Sequence, residues 1–225
     1  MKTLFLVTSC IKCIPQMSVF SHQERFAQTI ETFKSIQKYA PESTIIISDT
    51  SVEALPDEWI QEILKYCKFF INLSEDNTLR NLSNQGLKSP AECLLFLNTL
   101  KTIKPLIADH TLDADRIFKL SGRYELNEGF NLDAYKGLNG KYVFKRRVQS
   151  WMVPNLSLLD VRLWSFDAQL LDKTEEMYSN ALQHTSNGFD LEHAVFFSID
   201  QNLLHEVDVI YAKGRTAPEG SWRYD

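Results

Sequence analysis

Nine consecutive residues near the middle of the chain, 116–124, constrain its fold more than any other stretch. Ile117, Phe118 and Leu120 form an apolar run, and Gly122 ends that run abruptly. A buried strand followed by Ser, Gly, Arg and Tyr is typical of the ligand-binding edge of an open α/β sheet, although a plain turn after a strand has the same pattern. The stretch therefore predicts a core strand that ends either at a binding site or in an ordinary turn.

Strand-like and helix-like segments alternate before this stretch. Ser21 and Glu24 form a capping box that predicts the start of the first long helix, and the polar segment 74–89 predicts a long connection. Ser89 is expected to cap the helix that follows it. The alternation predicts a mostly parallel sheet with helices on both faces, and right-handed crossovers place the loops after strands 1 to 4 at one edge. The predicted strands are 3–9, 44–48, 67–73 and 116–120; the predicted helices are 22–39, 59–64 and 89–107.

The second half has a different pattern, with short strands that predict a small antiparallel portion at one side of the sheet. The chain is therefore expected to form one α/β domain over 1–225. The tail 212–225 has no periodicity. The predicted strands are 141–144, 148–153, 156–166 and 207–211; the predicted helices are 167–183 and 190–203.

Composition excludes some classes of function. The net charge of −5 and the pI of about 5.6 argue against attraction of the whole protein to nucleic acid, and leave open a local basic patch. No apolar run approaches the roughly 20 residues that a membrane span needs. The opening segment resembles a signal peptide, but Lys12 and Cys13 stand where small cleavage-site residues would be. It is interpreted as the first core strand of a cytoplasmic protein.

Cys10 and Cys13 form a single CxxC pair. Such a pair indicates either a redox or metal site, or two small buried apolar side chains. The chain has no second CxxC and no nearby Cys-His cluster.

Several common catalytic motifs are absent from the sequence. There is no GxGxxG after a strand, no GxxxxGK[ST], no HExxH and no GxSxG. A nucleotidyltransferase would need a glycine-rich loop after the first strand, and residues 10–16 contain no glycine. What remains is a set of polar residues at strand or helix ends: Thr8, Ser9, Asp49, Ser121 to Tyr124, Arg162, Glu192, His193 and Gly214-Arg215.

The segment Phe118 to Tyr124 resembles the Lys-x-Ser-Gly-Arg-Tyr pattern of small GT-A-type glycosyltransferases, which occur in surface-polysaccharide loci and in phage or large-virus genomes. Other matching pieces follow in the same order. They are Val7-Thr8-Ser9, Glu24-Arg25-Phe26 with Thr29 to Phe33, the polar loop before Glu92, Trp164-Ser165-Phe166, Leu191-Glu192-His193 and Gly214 to Pro218.

The resemblance implies a GT-A fold and transfer of a sugar from a nucleotide diphosphate donor to a glycan or another hydroxyl acceptor. It assigns nucleotide-sugar binding to 1–125, and acceptor binding and catalysis to 126–225. The expected partners are a nucleotide sugar and a glycan, with no nucleic acid. The alternative is a nucleotide-sugar-binding protein that has lost catalysis.

One departure from the family pattern concerns the metal. GT-A enzymes often carry an Asp-x-Asp that holds a divalent cation on the diphosphate, and here Ser121-Gly122-Arg123 occupies that place. No cofactor is assigned, and Mn²⁺ or Mg²⁺ remains open. The hypothesis is that Arg123 pairs with phosphate oxygens directly and replaces part of the metal's charge. Alternatively, Arg123 pairs with a structural acid such as Asp113 or Asp115.

The other donor-binding roles follow from position. Each has a structural alternative as a cap, a turn residue or an ion-pair partner, and Glu92 is interpreted chiefly as part of a helix cap. The predicted donor-binding residues are Thr8, Ser9, Asp49, Lys88, Ser121, Gly122, Arg123, Tyr124, Arg162 and Arg215.

Glu192 is the candidate general base, with His193 beside it. An inverting transfer needs one group to take the proton of the acceptor hydroxyl. The alternative is that Glu192 complements a helix dipole and His193 packs in the core. The aromatic residues Trp151, Trp164, Trp222, Tyr124 and Tyr224 are candidates for stacking against a sugar, or are part of the core.

Overall fold

The computed structural model describes residues 1–150, 153–217 and 219–225. The predicted strand at 148–153 falls partly on residues outside these ranges, as does Trp151. The strands are β1 Thr3–Ser9, β2 Thr44–Asp49, β3 Phe69–Asn72, β4 Arg116–Ser121, β5 Tyr124–Leu126, β6 Tyr142–Lys145, β7 Val148–Gln149, β8 Ser157–Leu158, β9 Leu163–Asp167, β10 Leu204–Val207, β11 Ala212–Arg215 and β12 Trp222–Tyr224. The α-helices are α1 His22–Tyr39, α2 Asp57–Leu64, α3 Asn77–Asn84, α4 Lys88–Ala108, α5 Leu171–Ser186 and α6 Leu191–Ser198.

A mixed seven-stranded sheet organises the molecule, in the order β10-β6-β9-β4-β1-β2-β3. Strands β4, β1, β2 and β3 are parallel, as the alternation predicts. Strand β9 runs antiparallel to both β4 and β6, so the antiparallel pairings lie on the β10-β6-β9 side of the sheet, as predicted. The carboxyl ends of β1 and β4 are adjacent, with Thr8 paired to Ser121. This edge is where loops from separate parts of the chain meet.

Hydrophobic side chains fill both faces of the sheet. Leu4 and Leu6 of β1 point to one core cluster, and Phe5 and Val7 point to the other. This strict alternation is what a strand buried on both faces requires. Residues of α4, α5 and α6 complete the first cluster, and residues of α1 and α2 complete the second.

The polar segment 74–89 is not a long loop, because it contains α3. The Asp76 carboxylate caps this helix by accepting from the backbone N–H groups of Thr78 and Leu79. The prediction that Ser89 caps the next helix is also wrong. Helix α4 already begins at Lys88, and no side chain caps it.

The second half departs further from the predicted pattern. The segment 156–166 is broken into β8 and the start of β9, and the predicted strand 207–211 is instead β10, which ends at Val207. The tail forms β11, which pairs with β5, and β12, which pairs with β11, in a separate antiparallel sheet. Within the described residues, no helix combines the length and apolar character that crossing a membrane requires.

Candidate active site

A cleft with a volume of about 670 Å³ lies beyond the carboxyl ends of the central strands. A smaller pocket adjoins it beside β1, and the two share Lys88, Glu92, Ser121, Arg123 and Ala217. Of the predicted site residues, Lys88, Ser121, Arg123, Tyr124, Arg162 and Glu192 line the cleft, and Thr8 and Ser9 line the pocket. These residues come from distant parts of the chain, and the folded sheet brings most of the predicted set together.

A buried ion pair lies beneath the cleft. Lys119 on β4 has no exposed surface, and its Nζ donates to Glu92 Oε1 (2.9 Å), Ser121 Oγ (2.8 Å) and the Val161 carbonyl (2.8 Å). Burial of the Glu92 carboxyl opposes its ionisation, but the charges of Lys119 and Lys88 outweigh burial and lower the pKa of Glu92 to about 2. Glu92 is therefore an ionised partner of Lys119 and does not cap α4.

Arg123 follows β4 and faces both cavities. Its guanidinium has no carboxylate within 4.0 Å in the described part of the chain, so the predicted alternative of an ion pair with Asp113 or Asp115 does not occur there. The Arg123 Nε atom is buried without a hydrogen-bond partner. A buried donor of this kind indicates a place for a ligand acceptor.

Arg162, unlike Arg123, is paired with acids, although its Nη1 is also buried without a hydrogen-bond partner. Its Nε donates to Asp160 Oδ2 (2.8 Å), its Nη2 contacts Asp225 Oδ2 (2.5 Å), and its guanidinium lies 5.3 Å from the centre of the Tyr124 ring. Lys145 also pairs with Asp225. These contacts favour the ion-pair role for Arg162 over direct phosphate binding, while the side chain still forms part of the cleft wall.

Glu192, in the first turn of α6, is a half-buried carboxyl that faces the cleft. Burial and the negative charges of Glu92 and Asp190 raise the pKa of Glu192 to about 7. A carboxyl with this pKa is available to accept a proton near neutral pH.

His193 is buried and is not among the residues that line the cleft. It is 3% exposed, and its Nδ1 lies 2.6 Å from Asp190 Oδ1, the oxygen that also caps α6. The contact with Asp190 positions the imidazole beside the cap. A direct catalytic role for His193 stays a prediction.

The two CxxC thiols form part of the pocket wall beside Thr8 and Ser9. A hydrogen bond from Cys10, together with the charge of Arg25, lowers the pKa of Cys13 to about 6 although burial opposes this. Burial raises the pKa of Cys67 to about 11 and that of Cys93 to about 12. Cys13 is therefore the thiol with the greatest thiolate fraction of these three at neutral pH.

Three predicted donor residues line neither cavity. The Asp49 carboxylate accepts from the backbone N–H groups of Ile11 (2.9 Å) and Ser51 (2.8 Å), which holds the turns after β1 and β2. Gly122 donates from its N–H to the Thr8 carbonyl (2.8 Å), and Arg215 donates to the Gly220 carbonyl (2.8 Å). Their donor-binding roles stay predictions, and the contacts they make support the shape of the site.

The aromatic candidates fall into a buried group and an exposed group. Trp164 and Tyr124 are 1% and 3% exposed and belong to the cores. Trp222 and Tyr224 are exposed on β12 and stack on each other, with ring centres 5.4 Å apart. Arg223, between them, lines the cleft.

The residues at the Asp-x-Asp position do not fit a divalent metal. Ser121, Gly122 and Arg123 supply no carboxylate, and a guanidinium would repel a cation. Of the other acids in the cleft, Glu92, Asp160 and Asp190 are paired with Lys119, Arg162 and His193. Residues 1–150, 153–217 and 219–225 contain no group of three or more His, Cys, Asp or Glu side chains arranged to hold a metal ion.

Sequence reasoning missed Lys119 and Arg25. Lys119 interrupts an apolar strand, and such a lysine is normally paired, which is a signal that could have identified it. Arg25 begins the inward stripe of α1 that continues through Thr29 and Phe33. The periodicity marks Arg25 as buried, but the pocket it reaches exists only in the folded chain.

Solved glycosyltransferase structures share this fold. The mannosyltransferase Ktr4p from S. cerevisiae superimposes with a TM-score of 0.56 at 11% identity, over 92% of this chain and 69% of that chain. The galactosyltransferase LgtC, solved with donor and acceptor sugar analogs, gives a TM-score of 0.53 at 8% identity, over 91% and 73%. The glycosyltransferase GlyE of Streptococcus pneumoniae has a TM-score of 0.49 at 10% identity, which is too low to support the fold assignment, and this chain spans 45% of its length.

No protein-family model and no curated protein matches the sequence. At these identities the structural likeness establishes the fold alone. It confirms the predicted α/β class with a GT-A-like sheet.

Proposed function

We propose that this protein is a glycosyltransferase that moves a sugar from a nucleotide diphosphate donor to a hydroxyl group of a glycan, with surface polysaccharide as the acceptor class. The observation that carries the proposal is that Glu192, Arg123 and Lys88 line the same cleft, at the carboxyl edge of the parallel strands. Ligands of open α/β sheets bind at this edge, and the GT-A-like fold supports the same class of reaction.

The chemistry assigns different tasks to these groups. In an inverting transfer, Glu192 takes the proton of the acceptor hydroxyl while that oxygen bonds to the anomeric carbon. The bond from the anomeric carbon to the diphosphate oxygen breaks, and the electron pair leaves with the diphosphate. The positive charges of Arg123 and Lys88 stabilise the leaving group. Because the side chains at Ser121 to Arg123 do not suit a divalent cation, the proposed transfer proceeds without a metal ion.

The decisive test is Glu192→Gln, assayed for sugar transfer and for donor binding with a panel of nucleotide sugars. We expect donor binding to persist and transfer to fall about 10²- to 10⁴-fold, which is the usual contribution of a general base. In the wild type, transfer should decline as the pH falls below about 7, because Glu192 becomes protonated. Glu175→Gln, on α5 beside Lys104 (3.0 Å), is the matched control. Unchanged turnover in Glu192→Gln would show that another group is the base.

The assay is repeated with a chelator to test the metal-free part of the proposal. Activity should survive. Complete loss that manganese restores would refute this part while leaving glycosyl transfer intact.

A nucleotide-sugar-binding protein without catalysis is the second candidate. The absence of carboxylates at Ser121 to Arg123 favours it. Saturable donor binding with neither transfer nor donor hydrolysis would support this alternative.

We include in the proposal the cytoplasmic location that the sequence predicts. The four cysteines are free thiols, as is usual in reducing compartments.

A further inference from the structure

Two guanidinium groups reach the same pocket without a carboxylate partner among the described residues. Arg25 comes from the first turns of α1, and Arg123 comes from the connection between β4 and β5. Throughout the part of the chain that the structure describes, no carboxylate oxygen lies within 4.0 Å of either side chain. The other described arginines of the cleft wall include Arg162 and Arg146, which pair with Asp160 and Asp208.

Arg25 is buried but directed by neutral acceptors. It is 5% exposed, its Nε donates to the Cys10 carbonyl (2.6 Å), and its Nη1 donates to Ser18 Oγ (3.2 Å). These bonds hold the orientation of the guanidinium but do not cancel its charge. Arg123 is held less tightly, since its Nε is buried and has no partner.

The two charges act on each other. Burial and the charge of Arg25 both lower the pKa of Arg123, and Tyr124 and Glu92 oppose that effect only in part. Glu92 is the carboxylate that lines this pocket, and it is already bonded to Lys119 (2.9 Å). Lys88 adds a further positive charge to the same wall. Cys13 on the same wall has a pKa of about 6, so its thiolate offsets one of these three positive charges at neutral pH. The pocket still has an excess of positive charge that a bound anion would relieve.

We propose that Arg25 and Arg123 together form a two-guanidinium site for the diphosphate group of the donor. Planar guanidinium groups pair with phosphate oxygens through parallel N–H···O bonds, so two of them can hold both phosphates without a metal ion. The identity of the ligand as a nucleotide sugar rests on the proposed function, whereas the anion site itself does not. Arg25 thereby has a donor-binding role that connects α1 to the site.

The test is an isothermal titration calorimetry experiment in which inorganic pyrophosphate is added to the full chain in the presence of a chelator. Wild type should bind. Arg25→Met and Arg123→Met should each weaken binding at least about tenfold, and Arg25→Lys and Arg123→Lys should recover it only in part, because lysine lacks the planar fork. Arg147→Met is the matched control, since it removes the same charge from a residue paired with Glu206 (2.9 Å) outside the pocket.

A second measurement on the wild type covers the case in which an Arg25 variant fails to fold. Cys13 lines the same pocket, so pyrophosphate bound between the arginines should slow alkylation of Cys13 at least about threefold. Equal binding by wild type and a folded Arg25→Met variant, an absolute need for manganese, or unprotected Cys13 would each overturn the proposal.

The result separates this inference from the proposed function. Pyrophosphate binding that depends on both arginines, without transfer from any nucleotide sugar, would uphold the anion site and refute glycosyl transfer. Sugar transfer at the wild-type rate in a folded Arg25→Met variant would uphold glycosyl transfer and refute the role of Arg25 in the anion site.

Discussion

Individual side chains at this site differ in whether their charge is compensated. Lys119 and Glu92 form a closed pair with every donor directed at an acceptor. Within the described residues Arg25 and Arg123 have no carboxylate within 4.0 Å, and burial with nearby negative charges raises the pKa of Glu192 to about 7. Structural charges in a protein interior are normally paired, so the unpaired ones are the candidates for binding and catalysis.

Glu92→Gln should destabilise the protein, because it leaves the fully buried Lys119 without a counter-charge. We expect the free energy of unfolding to fall by about 2 to 3 kcal/mol at pH 7, measured by urea denaturation; the partial exposure of Glu92 limits the cost. Folding lowers the pKa of Glu92 from 4.5 to about 2. Its contribution is therefore complete above pH 4.5 and is lost as the pH falls through about 2.

The difference between wild type and Glu92→Gln should shrink over that acidic range. Glu42→Gln, at an exposed position, is the control and should change little. A loss at Glu92 no larger than at Glu42 would mean that the Lys119 pair contributes nothing to stability.

At the scale of elements, the site depends on how the C-terminal strands pack against β5. Gly214 on β11 is paired with Tyr124 on β5. A Cβ atom at Gly214 would lie 2.4 Å from the Arg123 carbonyl oxygen and 2.6 Å from Tyr124 Cδ1. The close approach of these strands therefore requires glycine, and it supports the backbone that carries Arg123.

Gly214→Ala should separate β11 from β5, because backbone atoms cannot yield at such distances. We expect a loss of stability of about 1 to 3 kcal/mol and faster amide hydrogen exchange in 212–215 and 124–126. Lys213→Ala is the control: its side chain is half exposed and lies 3.7 Å from Glu125. Unchanged exchange in Gly214→Ala would show that the strands adapt without separating.

At the scale of the whole molecule, the two halves of the chain share one sheet. Strand β9 pairs directly with β4, and β6 and β10 extend the sheet beyond it. Helices α4 and α5, from different halves, both contribute to one core cluster. Separation of the halves would expose this apolar surface to water.

We therefore predict that the full chain unfolds in a single cooperative transition, with equal calorimetric and van't Hoff enthalpies in scanning calorimetry. Two resolved transitions would contradict the single domain that the sequence predicts and would assign the halves separate stabilities.

Much of the fold could be predicted from local pattern. The apolar run of β1 and the capping box of α1 are signals that neighbouring residues carry, and the structure confirms both elements. The polar character of 77–84 concealed α3, because its helical stripe contains few apolar residues and its Asp76 cap resembles a loop residue. The tail strands were missed because β11 is held by pairing with the distant β5, and β12 by pairing with β11, which local periodicity does not record.

The amino-acid sequence by itself determined the parallel core and the polar ends of its strands, since hydrophobic period and turn residues act over short distances. Tertiary structure decided which charged side chains are paired with an opposite charge and which are not. Lys119 is neutralised by Glu92 from a helix 27 residues away, whereas Arg25 and Arg123 line one pocket and, within the described residues, neither has a carboxylate within 4.0 Å. Charge compensation depends on distance in space, and only the folded sheet sets that distance.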